Sequence, residues 1–163
     1  SKFIGEVILF HTPVIKKLIQ QVEISRMGYV LGTLLDASIP IVTSIESLAS
    51  SVGVYNYHKF YDFLAGSIED GSTFKRSFEN YKNINKLIPP PVQNMIIAGE
   101  KSGKLSVIFL RLAESFEAKI DITTKNLSTL LEPIMLIIIW LGVVFVALAV
   151  ILPIYSLIGG FKV

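Results

Sequence analysis

The segment from Gly99 to Lys104, with the sequence GEKSGK, is the first candidate for chemistry, because glycines and a lysine on a short turn can bind phosphate. A phosphate-binding loop needs four residues between its glycines and a Ser or Thr directly after its lysine. With that spacing, backbone N–H groups converge on the phosphate and the hydroxyl reaches magnesium. Here three residues separate Gly99 from Gly103, and Leu105 follows Lys104. We therefore expect a turn between two helices rather than a nucleotide site.

The histidines and acids offer little for metal binding or acid–base catalysis. His11 and His58 are the two histidines, and neither has a second histidine at helical spacing. His58 and Asp62, at positions i and i+4, are expected to form a surface pair. No G-x-S-x-G signature of an activated serine occurs. We predict no catalytic residues, no cofactor and no bound metal.

Glu132 and Pro133 form the last candidate, because they directly precede the most apolar stretch of the chain. A glutamate at membrane depth costs free energy unless it reaches the interface or finds a partner. Pro133 has no N–H for the carbonyl of Thr129, so it is expected to kink a helix there. Two interpretations stay open: an interfacial acid beside a kink, or a joint that aims the soluble part at a partner.

Residues Ile134 to Ile158 carry no charge over twenty-five positions. At about 1.5 Å per residue, a helix of this length exceeds the roughly 30 Å hydrocarbon core of a bilayer. We predict a permanent transmembrane anchor. Of the fifteen Lys and Arg residues, only Lys162 follows this stretch. The positive-inside rule then predicts that the residues before it are cytoplasmic, which agrees with the absence of cysteine.

The residues before the apolar stretch have the periodicity of packed helices. Apolar side chains recur every three or four residues from Ile15 to Leu35, and similar stripes return in the later segments. Thr12 and Pro13 are expected to cap and start the first helix, and Gly53 to cap the end of the second. No segment shows the sustained alternation of a half-buried strand. The predicted fold class is all-α, an antiparallel bundle of about six helices whose last helix runs into a single transmembrane helix.

The predicted organisation has three regions: a linker at 1–11, a cytoplasmic helical domain at 12–126, and the transmembrane helix with a short tail at 127–163. Gly71 and Ser72 are predicted to end the third helix directly before a new N-cap. Residues 83–91 contain three consecutive prolines and are predicted to be irregular until Pro91 starts the fifth helix. The sixth helix is expected to begin near Lys104.

Charge is nearly balanced before the apolar stretch, with fourteen basic and twelve acidic side chains in residues 1–126. No block of Lys and Arg and no alternation of basic and aromatic residues occurs. These patterns predict no nucleic-acid binding, whereas the small basic excess suits anionic lipid at a bilayer surface.

Several segments, taken in order, resemble the F domain of bacterial platform proteins of type II secretion and type IV pilus assembly, the GspF/PilC family. The segment from Pro13 to Leu48 resembles the opening of that domain, with Ser38 where the family usually has glycine. GEKSGKL at 99–105 is similar to the family's G-E-x-S-G-x-L. LEP at 131–133 is similar to its L-E-P before the last span, and LPIY at 152–155 to its closing L-P-I-Y. The resemblance covers about residues 12–158.

The resemblance implies a non-enzymatic scaffold of the inner membrane that couples a hexameric cytosolic assembly ATPase to the insertion of pilin-like subunits. It also implies contacts with other inner-membrane assembly proteins and with further copies of the chain, as a homo-oligomer. The partner-binding or structural candidates that it marks are Gly99, Glu100, Ser102, Gly103, Leu105, Glu132, Pro133 and Pro153.

Family members generally contain two F domains and about three spans, so the resemblance implies the C-terminal half of such a protein or a half-length relative. An alternative from another class is a membrane-anchored helical subunit for signalling or transport that binds a small ligand. Copurification of a cytosolic ATPase, or specific ligand binding by residues 12–126, would distinguish the two.

Overall fold

A computed structural model of the protein describes residues 13–159. Within that range the chain forms seven helices and no strand: α1 Pro13–Asp36, α2 Ile41–Ser51, α3 Tyr55–Glu69, α4 Phe74–Asn80, α5 Ile84–Leu87, α6 Pro90–Ser102 and α7 Leu105–Gly159. The predicted all-α class is confirmed. The predicted linker at 1–11 and the predicted cap Thr12 lie outside the described residues. The chain divides into two compact units after Asp121.

The first unit, which we call the helical domain, has a continuous apolar core with aromatic rings at its centre. Phe60 on α3 lies 5.3 Å from the ring of Tyr61 and 5.1 Å from that of Tyr81, measured between ring centroids. Phe74 on α4 lies 6.1 Å from Phe109 on α7, so the short helix α4 is packed against the start of the longest one. Rings of this size bury much apolar area and favour such tilted contacts.

Two glycines allow α1 and the first turns of α7 to approach closely. A Cβ atom at Gly28 would lie 2.5 Å from the carbonyl oxygen of Phe109 and 2.7 Å from the backbone nitrogen of Ala113. A Cβ at Gly32 would lie 2.8 Å from Cγ of Leu110. The two helices are therefore closer than any side chain at position 28 would permit.

Three connections in the helical domain share one geometry. A left-handed residue follows the helix, and its own N–H and the N–H of the next residue donate to carbonyls of the last turn. Gly71, with φ 83°, ends α3 in this way, and Ser72 donates from its N–H to the carbonyl of Ser67 at 3.0 Å. Thr73 then caps α4 by accepting from the N–H of Arg76 at 3.3 Å. The predicted end of the third helix, followed by a new cap, is confirmed.

Ser38 occupies the same left-handed position after α1, with φ 62°. Its N–H donates to the carbonyl of Leu35, and the N–H of Ile39 donates to that of Leu34, both at 3.0 Å. The turn therefore keeps its hydrogen bonds although a residue with a Cβ atom occupies the left-handed position.

Replacing Ser38 with glycine is expected to stabilise the helical domain by about 0.5–1 kcal/mol. The left-handed conformation costs an L-residue about 1–2 kcal/mol, and the extra freedom of glycine in the unfolded chain offsets only part of that gain. Ala98→Gly, at an exposed position inside α6, is the control and should cost about 0.5–1 kcal/mol. Thermal unfolding followed by circular dichroism would measure both; a destabilising Ser38→Gly would contradict the strain assigned to Ser38.

Two details of the sequence prediction are wrong. Gly53 does not cap α2, because the helix ends at Ser51 with extended Val52 as its C-cap. The hydroxyls of Ser50 and Ser51 donate to the carbonyls of Ser47 and Leu48 in the last turn, both at 2.8 Å. The N–H of Val52 donates to the carbonyl of Ala49 at 3.3 Å, so the helix ends without a left-handed residue.

The stretch predicted to be irregular, residues 83–91, contains the one-turn helix α5 and the start of α6 at Pro90. Prolines suit the first turn of α6, because the N–H groups that they lack would have no partner inside the helix there. Tyr57 donates its hydroxyl to the carbonyl of Leu87 at 3.0 Å, which holds α5 against α3.

The helix α7 starts one residue after Lys104 and continues through Pro133 into the apolar stretch, as predicted. Its segment Glu132–Tyr155 is 24 residues long and strongly apolar, and its side chains are not buried. Among the described residues this is the one helix that is long and apolar enough to cross a bilayer.

Candidate functional site at the turn between α6 and α7

The turn between α6 and α7 contains five of the residues that the sequence marked: Gly99, Glu100, Ser102, Gly103 and Leu105. Gly103 is left-handed, with φ 66° and ψ 22°. Its N–H donates to the carbonyl of Glu100 at 3.2 Å, and the N–H of Lys104 donates to the carbonyl of Gly99 at 2.9 Å. Leu105 then begins α7 and packs, half-buried, against the core. The predicted turn between two helices is confirmed.

The same hydrogen bonds explain why this turn cannot act as a phosphate-binding loop. Such a loop needs free N–H groups that converge on the anion. The N–H groups of Gly103 and Lys104 already donate to carbonyls of α6. The hydroxyl of Ser102 also turns inward and donates to the carbonyl of Gly99 at 3.2 Å. The turn is therefore a structural joint rather than a ligand site.

Gly99 sets how closely α6 and α7 approach. A Cβ atom at this buried position would lie 2.9 Å from Cγ1 of Ile108 and 3.1 Å from its Cβ. Both atoms belong to a branched side chain on α7, which has little freedom to move aside. Gly99 therefore serves packing, whereas Gly103 serves backbone conformation.

Glu100 reaches from the end of α6 to the start of α4. Its carboxylate accepts from the backbone N–H of Phe74, at 3.0 Å to Oε1 and 3.2 Å to Oε2. Phe74 is the first residue of α4, where the N–H groups have no partner inside the helix and a negative charge is favourable. A second of these groups, the N–H of Arg76, donates to the hydroxyl oxygen of Thr73. Glu100 thus joins α6 to α4 through a bond between residues that are 26 positions apart in sequence.

Replacing Glu100 with glutamine is expected to destabilise the helical domain by about 1 kcal/mol. The amide oxygen can still accept from Phe74, but the charge-assisted part of the bond and the attraction to the helix terminus are lost. Glu69→Gln is the control, because Glu69 is exposed and ends α3, where a negative charge is unfavourable. Denaturant titration of both variants would measure the difference. Equal stability of the wild type and Glu100→Gln would mean that the carboxylate charge contributes nothing.

Glu132, Pro133 and Pro153 lie in the second unit, inside α7. Glu132 and Pro133 are exposed. Pro133 has no N–H to donate to the carbonyl of Thr129. The hydroxyl of Thr129 donates to the carbonyl of Lys125 at 3.0 Å. A kink at Pro133 and a role in orientation stay predictions.

Sequence reasoning missed two buried polar side chains in the helical domain, those of Glu23 and Tyr61. Glu23 on α1 is 2 % exposed and Tyr61 on α3 is fully buried. Oε1 of Glu23 lies 3.0 Å from Nη1 of Arg26, but Oε2 of Glu23 and the hydroxyl of Tyr61 have no hydrogen-bond partner. Burial raises the pKa of Glu23, partly offset by Arg26. The signal in the sequence that could have indicated a buried acid is the position of Glu23, four residues before Met27 and within the apolar stripe of α1.

The described residues contain no group of three or more His, Asp or Glu side chains placed to hold a metal ion. His58 and Asp62 form the expected surface pair, with Nδ1 2.8 Å from Oδ2 and both side chains exposed.

Comparison with known proteins agrees with this helical architecture. The family model described as type II secretion system (T2SS), protein F, matches residues 29–153. The type IV pilus assembly protein PilC of Myxococcus xanthus is 24% identical over 161 residues, 99% of this chain and 37% of that protein. Type IV pilus assembly protein TapC of Aeromonas hydrophila is 26% identical over 145 residues, 89% of this chain and 34% of that protein.

The type II secretion system protein F of Pseudomonas aeruginosa is 27% identical over 149 residues, 91% of this chain and 36% of its own length. The chain thus spans little more than a third of the length of these relatives. The family match begins in α1, includes the turn between α6 and α7, and ends in the apolar segment of α7. The chain therefore belongs to the type II secretion system protein F family, which includes the PilC proteins of type IV pilus assembly.

Proposed function

We propose that this chain is part of an inner-membrane platform in a type IV pilus or type II secretion machine. In this role it couples a hexameric cytosolic assembly ATPase to the insertion of pilin-like subunits and contacts other inner-membrane assembly proteins. The observation that supports the proposal is the family match over residues 29–153, which covers most of the helical domain and most of the candidate span.

The charge distribution supports a cytoplasmic position for the helical domain. Only Lys162 follows the candidate span, and the other fourteen basic residues precede it. Basic residues are retained on the cytoplasmic side during insertion, so this asymmetry favours a helical domain that faces a cytosolic partner.

The platform proteins of this family are non-enzymatic, and the same is proposed for this chain. Hydrolysis would then belong to the ATPase, and the helical domain would provide a binding surface of fixed shape. The left-handed turn at Gly103 and the bond from Glu100 to Phe74 are suited to this role, since they hold three helices in a defined arrangement.

Copurification tests the proposal directly. The full chain, solubilised in mild detergent from cells that carry the complete machinery, should retain the assembly ATPase through affinity purification. A tagged, unrelated inner-membrane protein of similar size is the control. Absence of the ATPase from material that retains other assembly proteins would contradict the proposed coupling.

Pro133→Ala is expected to leave membrane insertion and ATPase retention unchanged but to reduce filament assembly markedly. Alanine restores the hydrogen bond to the carbonyl of Thr129, so the helix loses the kink expected at the edge of the span. The apolar residues that follow remain sufficient to span the bilayer.

Val143→Ala, in the middle of the span, is the control and should assemble filaments normally. Counting filaments by electron microscopy in cells with equal amounts of each variant would measure the effect. Normal assembly by Pro133→Ala would make the kink incidental to function.

A further inference from the structure

A small cleft of about 290 Å³ lies on the helical domain between the start of α3 and the segment that contains α5. Asn56 belongs to α3, and the other lining residues lie close together in sequence: Tyr81, Lys82, Asn83, Lys86 and Leu87. Asn83 is left-handed, with φ 63°, and directly precedes α5. Two segments that are separate in sequence therefore form the cleft.

The residues that line this cleft, which we call the basic cleft, include two lysines and no acid. Lys82 and Lys86 are both exposed, and neither forms an ion pair among the described residues. Glu79, the nearest acid in sequence, lies 3.8 Å from Lys75 instead. Two positive charges without a counter-charge therefore line one small cleft.

Three backbone carbonyls of the basic cleft already accept hydrogen bonds. The carbonyl of Asn83 accepts from the N–H of Lys86, and that of Lys86 accepts from Nε2 of Gln20, both at 3.0 Å. The carbonyl of Leu87 accepts from the hydroxyl of Tyr57 at 3.0 Å. The remaining polar groups include two ammonium groups and two side-chain amides, all of which can donate. The same bonds tie this segment to α1 and α3, so the cleft has a fixed shape before a ligand binds.

We propose that the basic cleft binds a phosphate group, carried either by a dissolved ion or ester or by a lipid headgroup. A phosphate monoester carries about −1.5 to −2 charges at pH 7, which two ammonium groups balance. Lysine binds phosphate as a point charge, whereas the planar fork of arginine matches a carboxylate best, and no arginine lines the cleft.

The volume of the basic cleft is consistent with this ligand. Small-molecule sites generally occupy roughly 300–1,000 Å³, and this cleft lies just below that range. It therefore suits a phosphate group whose substituent extends into solvent or bilayer. The cleft shares no residue with the turn between α6 and α7, whose N–H groups donate within the chain. The proposed coupling to an ATPase does not depend on this site, and binding can be measured without the ATPase.

The test measures how fast the lysines of the full chain react with an acetylating reagent, by mass spectrometry. The chain is held in phosphatidylcholine nanodiscs, and inorganic phosphate replaces chloride at constant ionic strength. At saturation, phosphate should slow the acetylation of Lys82 and Lys86 roughly tenfold, because a bound ammonium group is covered and held in its unreactive charged form. Lys101 and Lys104, exposed at the turn between α6 and α7, are internal controls and should react at unchanged rates.

A second arm of the test contains no inorganic phosphate and replaces part of the phosphatidylcholine with phosphatidic acid, whose headgroup is a phosphate monoester. Selective protection of the two cleft lysines by inorganic phosphate would support the proposal with a dissolved ligand. Selective protection in the second arm alone would support it with a lipid headgroup. Protection in neither arm, or equal protection of Lys101 and Lys104, would overturn the proposal.

A pair of variants shows whether the two lysines share one ligand. In the arm that protects them, Lys82→Gln should abolish the protection of Lys86, because one ammonium group alone no longer balances the phosphate charge. Lys101→Gln removes the same charge outside the cleft and should leave the protection of Lys86 unchanged. Both substitutions replace exposed side chains, so the fold is retained. Full protection of Lys86 in the Lys82→Gln variant would contradict a shared phosphate site.

Discussion

Replacing Gly28 with alanine is expected to destabilise the helical domain by about 3 kcal/mol, which would be a large effect for one methyl group. The new Cβ would lie 2.5 Å from the carbonyl oxygen of Phe109 and 2.7 Å from the backbone nitrogen of Ala113. Both atoms belong to the backbone of α7, so no side-chain rotation can relieve the contact. The helices α1 and α7 would have to move apart, and the core between them would lose packing.

Gly66→Ala is the matched control, because Gly66 lies inside α3 and a Cβ atom there would meet nothing within 4 Å. Alanine should stabilise a helix at such a position by about 0.5–1 kcal/mol. Thermal unfolding of the two variants should therefore move in opposite directions from wild type. A Gly28→Ala variant that unfolds at the wild-type temperature would show that the close approach of α1 and α7 is not needed.

The helices of this domain could be predicted from the sequence because their signals are local. The apolar stripe of α1 can be identified from residue spacing, and Gly71 and Gly103 can be identified as helix ends from their positions after apolar stripes. The one-turn helix α5 was not predicted, because four residues are too few for a periodic signal. Its stability comes from contacts such as the bond from Tyr57 to Leu87, which depend on the tertiary fold.

The candidate site could be predicted only in part, for the same reason. The sequence marks Glu100 as the carboxylate of a helix-end motif, but its partner Phe74 is 26 residues away. Which N–H a carboxylate reaches depends on which helix lies opposite. The glycines at 28 and 32 have the spacing of one helix face, yet only the position of α7 shows that they are needed for close approach.

Replacing Glu23 with methionine is expected to stabilise the helical domain at neutral pH by about 1–3 kcal/mol. The carboxylate is 2 % exposed, and its Oε2 atom has no hydrogen-bond partner to offset the loss of water. Methionine has a similar volume and no polar atom to bury. Arg26 loses an ion pair at 3.0 Å but is exposed enough to regain water.

The gain should depend on pH in a defined direction. Because burial raises the pKa of Glu23 above its ordinary value of 4.5, the folded domain binds this proton more tightly than the unfolded chain. The stability that protonation contributes is full below 4.5 and is lost as the pH rises through the raised pKa. Glu23→Met cannot titrate, so its advantage over wild type should grow from acidic to neutral pH.

Glu79→Met is the control for this comparison, because Glu79 is exposed and pairs only loosely with Lys75, at 3.8 Å. Its effect should stay within about 0.5 kcal/mol at every pH. Denaturant titrations between pH 4 and pH 8 would measure both variants. If Glu23→Met were less stable than wild type at neutral pH, the free oxygen of Glu23 would have to be satisfied by a bound water shared with Tyr61. The buried acid would then stabilise the packing of α1 against α3.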